Sequence, residues 1–99
     1  MNQELVFLLR ADIDIQSAFE RYDSYQEGRG YIFLRHLDAA FLLLKRFPEI
    51  GIQIRHPHRR LLVEGFPYGI FYTIEGGRII VEAIQDLRQD PDALKRLLE

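Results

Sequence analysis

The sequence predicts an α+β domain in which two helices lie on one face of a small, mainly antiparallel sheet. Before Pro48, apolar residues recur at three- and four-residue spacing over two long segments, which is typical of amphipathic helices. After Pro57, short apolar runs are separated by glycine-containing turns, which is typical of strands joined as hairpins. A chain of 99 residues, 47% of them apolar, is sufficient for one core, so we expect a single domain over residues 1–99.

The chain is expected to begin with a strand and a helix. The apolar run Leu5 to Leu9 indicates a fully buried first strand. Asp12 or Asp14 can cap the first helix, because a carboxylate accepts the free amide hydrogens of the first turn. This helix is predicted over about Ile13 to Glu27, with Gly28 as its left-handed end. Its apolar stripe consists of Ile15, Ala18, Phe19, Tyr22 and Tyr25.

A second helix is predicted from about Tyr31 to Phe47, and it ends at Pro48 because proline has no amide hydrogen to donate. One face consists of Phe33, Leu37, Ala40, Phe41 and Leu44. Leu42 and Leu43 lie on other faces, so the helix is apolar nearly all round and must be covered nearly all round. Part of its surface is therefore a candidate site for a protein partner.

The second half of the chain is predicted to form three strands and a short helix. The segment Ile52 to Arg55 belongs to an irregular connection. The strands are expected over Arg60 to Glu64, Ile70 to Glu75 and Arg78 to Leu87. Gly65 with Pro67 forms the first turn, and Gly76-Gly77 indicates a tight hairpin. Asp90 followed by Pro91 predicts a short helix from Pro91 to about Leu98.

Composition restricts the function classes. The chain has no cysteine, which excludes disulfides and thiolate metal sites, and we expect no cofactor. The start lacks the pattern of a signal peptide, and no apolar run approaches the roughly 18 residues of a membrane span. We therefore expect a cytoplasmic protein. The net charge of −2 gives no general attraction to nucleic acid, but the segment from Arg55 to Arg60 contains three arginines, two histidines and no acid.

The third quarter of the chain resembles a known family. Arg59-Arg60 runs into an apolar strand, and then Phe66-Pro67-Tyr68 forms a corner before an aromatic strand. Arg88-Gln89-Asp90-Pro91 follows the last strand. With the element order strand, helix, helix, strand, strand, strand, these residues resemble the RelE/ParE superfamily of bacterial toxins from type II toxin–antitoxin (plasmid stabilization) systems. The resemblance extends from Leu5 to Pro91, although the first half matches only in pattern.

The resemblance implies two alternative activities. ParE-like toxins inhibit DNA gyrase by binding, without bond-breaking chemistry, whereas RelE-like toxins are endoribonucleases (mRNA interferases) that cut mRNA on the ribosome. ParE-like action is favoured here, because the end of the last strand has Asp86 where RelE-like nucleases commonly have tyrosine or histidine. A degenerate toxin that only binds its antitoxin is a third alternative. In the RelE-like case the catalytic residues would be Arg59, Arg60, His58 and Arg88.

Binding residues are expected on two surfaces. The candidates for contact with the target are Arg55, Arg59, Arg60 and Tyr68. Arg59 and Arg60 could instead form salt bridges with the antitoxin or across strands, for example with Glu64, Glu82 or Asp86, and Tyr68 could anchor its turn. The resemblance also implies a cognate antitoxin whose C-terminal part folds on binding and lies along the helical hairpin or the sheet edge. The candidate contacts are Leu42, Leu43 and Phe47 on the second helix. His56 and His58 form only a weak metal-binding pattern, so we expect no metal site.

Overall fold

The computed structural model describes residues 3–89 and 95–96. Its elements are β1 (Glu4–Phe7), α1 (Leu9–Tyr25), α2 (Arg29–Arg46), a 3₁₀ turn (Pro48–Ile50), β2 (Ile52–Arg55), β3 (His58–Leu62), β4 (Tyr68–Glu75) and β5 (Arg78–Asp86). The five strands form one sheet in the order β1-β5-β4-β3-β2. β1 runs parallel to β5, and the other neighbouring pairs are antiparallel. The predicted α+β class and the mainly antiparallel sheet are therefore confirmed.

Two boundaries near the start of the chain were predicted wrongly. The first strand ends at Phe7 and lies at the edge of the sheet, where it is only partly buried. α1 begins at Leu9, and no side chain caps its first turn. Asp14 instead reaches the sheet, where its Oδ2 accepts hydrogen bonds from the amide of Ile84 (3.0 Å) and from the side-chain amide of Gln85 (3.0 Å). The carboxylate that the local spacing predicted as a cap for the first helix therefore binds residues of the sheet that are distant in sequence.

The helical hairpin agrees with most of the predicted pattern. The predicted buried face of α2 is confirmed, since all five of its residues are buried. Gly28 has φ +88° and separates the helices as expected. Tyr25 was wrongly assigned to the apolar stripe of α1, because it lies at the last residue of the helix and is 82% exposed. Ala11, in the early turn that the prediction left out, is buried instead.

A close approach of the two helices occurs at Gly30. A Cβ on Gly30 would lie 2.7 Å from Cδ1 and 2.8 Å from the backbone oxygen of Phe19. We expect Gly30→Ala to lower the free energy of unfolding by roughly 1–3 kcal/mol, because the α1 backbone must move away. Chemical denaturation measures this change. Alanine is intrinsically the better helix former by about 1 kcal/mol, so a stabilised variant would show that the helices are not in such close contact.

The connection between α2 and β3 differs from the prediction. Ile52 to Arg55 is a strand, β2, which pairs antiparallel with the beginning of β3 at the edge of the sheet. β3 begins at His58 because β2 is its partner, and it ends at Leu62. The amide of Val63 then donates to the carbonyl of Tyr68 (2.9 Å) and closes the turn to β4. The Gly76-Gly77 hairpin is confirmed, with both glycines at positive φ. The predicted helix from Pro91 to Leu98 lies outside the described residues, apart from Lys95 and Arg96, which are helical.

The core lies between the helical hairpin and the near face of the sheet. Phe33, Tyr68 and the partly exposed Tyr22 and Phe66 form a cluster of aromatic rings with centroids 5.0–6.0 Å apart. Strand pairing divides β4 between two faces, since paired residues share a face. Tyr68, Ile70 and Tyr72 belong to the near face and its core. Phe71, paired with Arg60 and Ala83, belongs to the far face, which is turned away from the helices.

Candidate functional site

The arginine pair at the start of β3 is divided between the two faces of the sheet. Arg59 pairs with Tyr72 and so belongs to the near face, whereas Arg60 pairs with Phe71 and belongs to the far face. The Arg59 guanidinium donates from Nη1 to the carbonyl oxygens of Glu49 (3.1 Å) and Gly51 (2.9 Å). Arg59 therefore holds the connection between α2 and β2 in place, and its predicted contact with a target stays a prediction.

Tyr72, on the near face of the sheet, also holds the connection between α2 and β2. Its buried hydroxyl donates to the carbonyl of Pro48 (2.6 Å) and accepts from the amide of Gly51 (2.9 Å). Burial raises the pKa of the Tyr72 phenol, so the hydroxyl keeps the proton that it donates. Tyr72 and Arg59 together satisfy three backbone carbonyls, those of Pro48, Glu49 and Gly51, in a segment that has few helix or ladder bonds of its own.

Arg60 lies against the far face. A Cβ on Gly69 would lie 3.0 Å from Cγ and 3.1 Å from Cδ of Arg60, so the arginine stem crosses the sheet over this glycine. The Arg60 Nε atom is buried and has no hydrogen-bond partner among the described residues. No salt bridge to Arg60 occurs within the same part of the chain.

A histidine and a carboxylate form a close pair near Arg60. His58 is two residues before Arg60 on β3, so both belong to the far face. The Nδ1 atom of His58 lies 2.7 Å from Oε1 of Glu82, and both side chains are about four-fifths buried. Glu82 lies where the register of β5 shifts by one residue, and this irregularity turns it toward β3. The sequence pattern had offered Glu82 as a partner for the arginines, but it binds His58.

The remaining target candidates have different surroundings. Arg55 is exposed and pairs with His58 across the β2–β3 hairpin, so it extends the cationic surface of the far face. Tyr68 is only 4% exposed, and its hydroxyl accepts a hydrogen bond from Arg21 Nη1 (3.2 Å). Tyr68 is thus a core residue, and contact with a target would require its corner to open. His56 accepts a hydrogen bond from the Gln53 side chain (2.9 Å) and is not joined to His58.

The antitoxin candidates on α2 lie at the surface. Leu42 is 62%, Leu43 39% and Phe47 52% exposed. Leu43 lines two adjoining grooves. The groove between α2 and β3, of about 630 Å³, is lined by Arg35, His36, Ala39, Ala40, Leu43, Leu61, Leu62 and Glu64. The groove between α2 and the 3₁₀ turn, of about 760 Å³, is lined by Gln3, Leu43, Arg46, Phe47, Pro48, Glu49, Ile50 and Ile74.

Two large, exposed apolar side chains of these grooves were missed from the sequence. Ile50 is 44% and Leu62 56% exposed, and each faces α2 across a groove. No periodicity could identify them, because Ile50 belongs to a single turn and Leu62 ends a strand that was predicted two residues too late. His36 fixes this wall, since its Nδ1–H donates to the carbonyl of Glu64 (2.8 Å).

No known protein-family model matches this chain, and no curated protein matches it. Solved structures do match, and one of them is described as the chromosomal ParDE TA system from P. aeruginosa. The superposition has a TM-score of 0.76 and covers 86% of this chain and 96% of that chain, at 15% sequence identity. The chain has a ParE-like fold. The expected RelE/ParE-like architecture is thereby confirmed, whereas the roles of individual residues rest on their geometry.

The ParE-like fold contains a second polar cluster at the end of β5. Asp86 is buried, and Arg88 binds it through its backbone amide (2.9 Å), Nε (3.1 Å) and Nη2 (2.9 Å). Arg21 of α1 lies 3.6 Å away on the same carboxylate. The hydrogen bond from the Arg88 side chain, with smaller contributions from its amide and from both positive charges, lowers the pKa of Asp86 despite its burial. Arg88 is thus neutralised by Asp86 and is not a free cation.

This ion-pair cluster predicts a pH-dependent stability. We expect Asp86→Asn to lower the free energy of unfolding at pH 7 by about 1–2 kcal/mol, since the amide loses charge-assisted hydrogen bonds whose arginine partners are largely exposed. Because the folded-state pKa of Asp86 is depressed, its contribution is present above the unfolded value near 3.8 and is lost as pH falls through the folded value. Urea unfolding of both proteins between pH 7 and pH 2 should show the difference disappearing at acid pH.

Asp14→Asn is the matched control, because the pKa of Asp14 is shifted in the opposite direction to that of Asp86. Burial raises the pKa of Asp14 despite its hydrogen bonds from Ile84 and Gln85. Its contribution to stability is therefore present below the unfolded pKa and lost as pH rises through the folded pKa. We expect the asparagine variant to be as stable as the parent protein or more stable at pH 7. Equal pH dependence in both variants would contradict the assignment of opposite shifts.

Among the described residues, no helix is both long and apolar enough to cross a membrane. The described part of the chain likewise contains no cluster of three or more His, Asp or Glu residues placed to hold a metal ion.

Proposed function

We propose that this chain is the toxin of a type II toxin–antitoxin module, that it is ParE-like and inhibits DNA gyrase by binding, and that a cognate antitoxin neutralises it. The observation that carries this proposal is the ParE-like fold, which extends over 86% of the chain and 96% of a chain of the solved ParDE system. Binding requires a complementary surface and no catalytic set. Two of the four residues suggested for cleavage, Arg59 and Arg88, are already held by backbone carbonyls or by Asp86.

The far face of the sheet is the proposed target surface. Arg55 and Arg60 supply its cations, and the buried Nε of Arg60 has no partner in the part of the chain that the structure describes. An arginine that lies on a sheet has little freedom to lose when it binds a carboxylate or backbone carbonyl of another protein. Arg59 supports this surface from behind through the connection that it holds. Tyr68 contributes by keeping the corner before β4 packed.

The grooves around Leu43 are the proposed antitoxin site. Their walls carry exposed apolar side chains from α2, the 3₁₀ turn and β3, and their rims carry charges of both signs. An amphipathic segment that folds on binding would bury these apolar groups and pair with the rim. Leu42 lies beside the grooves but does not line them, so we expect it to contribute less than Leu43 or Phe47.

A DNA gyrase supercoiling assay with the purified chain tests the proposed target. We expect inhibition that the antitoxin reverses, and we expect Arg60→Ala to raise the half-inhibitory concentration by about tenfold or more. Arg10→Ala, on the exposed side of α1, is the matched control and should inhibit like the parent chain. Absence of inhibition at about 10 µM toxin, a concentration that detects only micromolar or tighter binding, would reject gyrase as the target.

One observation favours the RelE-like alternative. Glu82 accepts the Nδ1–H of His58, which directs the imidazole and leaves Nε2 as a possible general base. Nε2 would take the proton of the RNA 2′-hydroxyl as its oxygen attacks phosphorus, and Arg60 on the same face would stabilise the phosphorane charge. The bond from phosphorus to the 5′-oxygen then breaks, and water would protonate the leaving oxygen. If so, His58→Ala should slow cleavage of mRNA on purified ribosomes by about 100-fold or more, and Glu82→Gln by less. Cleavage that is unaffected by both variants would exclude this dyad as the catalytic group.

The two assays together separate all three alternatives. Gyrase inhibition without RNA cleavage identifies a ParE-like toxin, and RNA cleavage without gyrase inhibition identifies a RelE-like one. If neither activity occurs while the antitoxin still binds, the chain is a degenerate toxin. Failure of the antitoxin to bind the folded chain would contradict the module itself.

A further inference from the structure

The two edges of the sheet are unequally protected. β2 has a register irregularity between Gln53 and Arg55 and is followed by Pro57, and such features discourage pairing with another chain. β1 has a regular register along its whole length. Among the residues that the structure describes, β1 has a neighbouring strand only on the β5 side.

The outward backbone groups of β1 can be assigned from its bonds to β5. The amide of Glu4 donates to the carbonyl of Gly77, just before β5 (3.4 Å), and the amide of Leu8 donates to the carbonyl of Val81 in β5 (3.0 Å). In a parallel ladder alternate residues face the neighbouring strand, so Leu5 and Phe7 direct their N–H and C=O groups away from the sheet. None of the described residues pairs with these groups, so Leu5 and Phe7 present a short row of outward donors and acceptors.

The outward backbone groups of two β1 strands complement each other when the two copies are related by two-fold symmetry. In an antiparallel pair centred on Val6, Leu5 lies opposite Phe7 of a second copy, and Phe7 lies opposite its Leu5. Both positions carry outward groups, so each pair exchanges two hydrogen bonds. A centre on Leu5 or Phe7 would also set outward residues opposite each other, but within β1 only the central residue and its own copy would then exchange hydrogen bonds. The Val6-centred register therefore forms the most hydrogen bonds between the two strands.

Apolar side chains and charge support the same partner. Leu9 is 74%, Ile13 55% and Leu8 45% exposed, directly after the free edge. In the Val6-centred register, exposed Glu4 lies opposite Leu8 of the second copy, next to the start of α1. That helix has no side-chain cap, and its partially positive N-terminus attracts a carboxylate. Arg10 in the first turn adds a positive charge and offsets Asp12.

We propose that a second copy of this chain pairs with β1 in this register, so that two sheets join into one ten-stranded sheet. The helices of both copies then lie on the same side, because the two-fold axis is perpendicular to the sheet. A pair of four-residue strands buries little area, so the dimer is weak, with a dissociation constant on the order of 100 µM. This interface does not depend on the toxin activity.

Amide hydrogen exchange tests the register directly. We expect the amides of Leu5 and Phe7 to become protected as the protein concentration rises to about 1 mM, several times the expected dissociation constant. The Val6 amide faces β5 and should be protected at every concentration. If Leu5 and Phe7 exchange rapidly throughout, the proposal fails, and if another segment gains the protection, a different interface is present.

Charge substitutions at the symmetry centre provide an independent test by sedimentation. Val6→Lys and Val6→Glu should each weaken dimerisation by about tenfold or more, because like charges meet across the axis. An equimolar mixture of the two variants should restore the dimer. Ile52→Lys, on the β2 edge, is the matched control and should dimerise normally. Circular dichroism checks folding, and if the variants at position 6 unfold, Leu9→Glu replaces them at an exposed position, where it adds a negative charge beside Glu4 of the second copy. A folded mixture that stays monomeric would overturn the proposal.

Discussion

Gly51→Ala is expected to lower the free energy of unfolding by roughly 2–4 kcal/mol, the largest stability loss among the substitutions considered. A Cβ at this position would lie 2.5 Å from the Tyr72 hydroxyl and 2.9 Å from the backbone oxygen of Arg60. The Arg60 oxygen belongs to a central part of β3 and has little freedom to move. The clash must therefore displace the connection, which breaks the hydrogen bonds of Tyr72 to Gly51 and Pro48.

Chemical denaturation of Gly51→Ala, Tyr72→Phe and the double variant separates the steric clash from the loss of the Tyr72 hydrogen bonds. Tyr72→Phe removes only the hydroxyl, and we expect it to cost about 1–3 kcal/mol because the Gly51 amide and the Pro48 carbonyl lose their partner. The double variant should be less destabilised than the sum, since both changes remove the same hydrogen bonds. Strict additivity, or a Gly51→Ala protein as stable as the parent, would show that the connection is not held by Tyr72.

Leu43→Glu is expected to weaken antitoxin binding by about 2–4 kcal/mol, or roughly 30- to 1,000-fold, while the toxin stays folded. Leu43 lies between the two grooves and is already 39% exposed, so a carboxylate there can reach water in the free protein. In the complex the same carboxylate would be covered by apolar groups without a partner, which carries a large desolvation cost. Calorimetric titration with the antitoxin measures the change.

Tyr25→Glu is the control for this experiment. Tyr25 is 82% exposed at the end of α1, away from both grooves, so the same charge should leave the antitoxin affinity unchanged. Phe47→Glu should resemble Leu43→Glu, and Leu42→Glu should have a smaller effect. Unchanged affinity in folded Leu43→Glu and Phe47→Glu proteins would remove the grooves as the antitoxin site. Equal losses at Tyr25 and Leu43 would indicate a general effect of negative charge.

Periodicity along the chain was sufficient for the helical hairpin and for the last hairpin of the sheet. The buried face of α2 was correct in all five residues, because a helix that contributes a whole face to a core must repeat apolar residues at helical spacing. Gly28 and Gly76-Gly77 were correct because only glycine adopts positive φ without strain. These features depend on neighbouring residues, so they can be read without knowledge of the fold.

Other predictions failed where the structure or contacts of a residue depend on a partner that is distant in sequence. β2 is a strand because β3 accepts it as an edge partner, and its four residues carry no pattern that demands pairing. Asp14 has the spacing of a helix cap, but α1 carries it to the amide of Ile84, seventy residues away. A pattern of local residues cannot weigh a hydrogen bond that forms only when the helix packs on the sheet.

The sequence alone determined the α+β class, the order of the main elements, the resemblance to RelE/ParE toxins and the residues with suitable chemistry. Only the tertiary structure decided which of those residues are available. Arg59 and Arg60 are adjacent and identical, but strand alternation places one against backbone carbonyls and the other on the far face, where its buried Nε has no hydrogen-bond partner among the described residues. Arg88 is bound to Asp86 and not free for the candidate site, and His58 forms a pair with Glu82. Availability depends on what lies opposite each side chain, and that is set by register and packing.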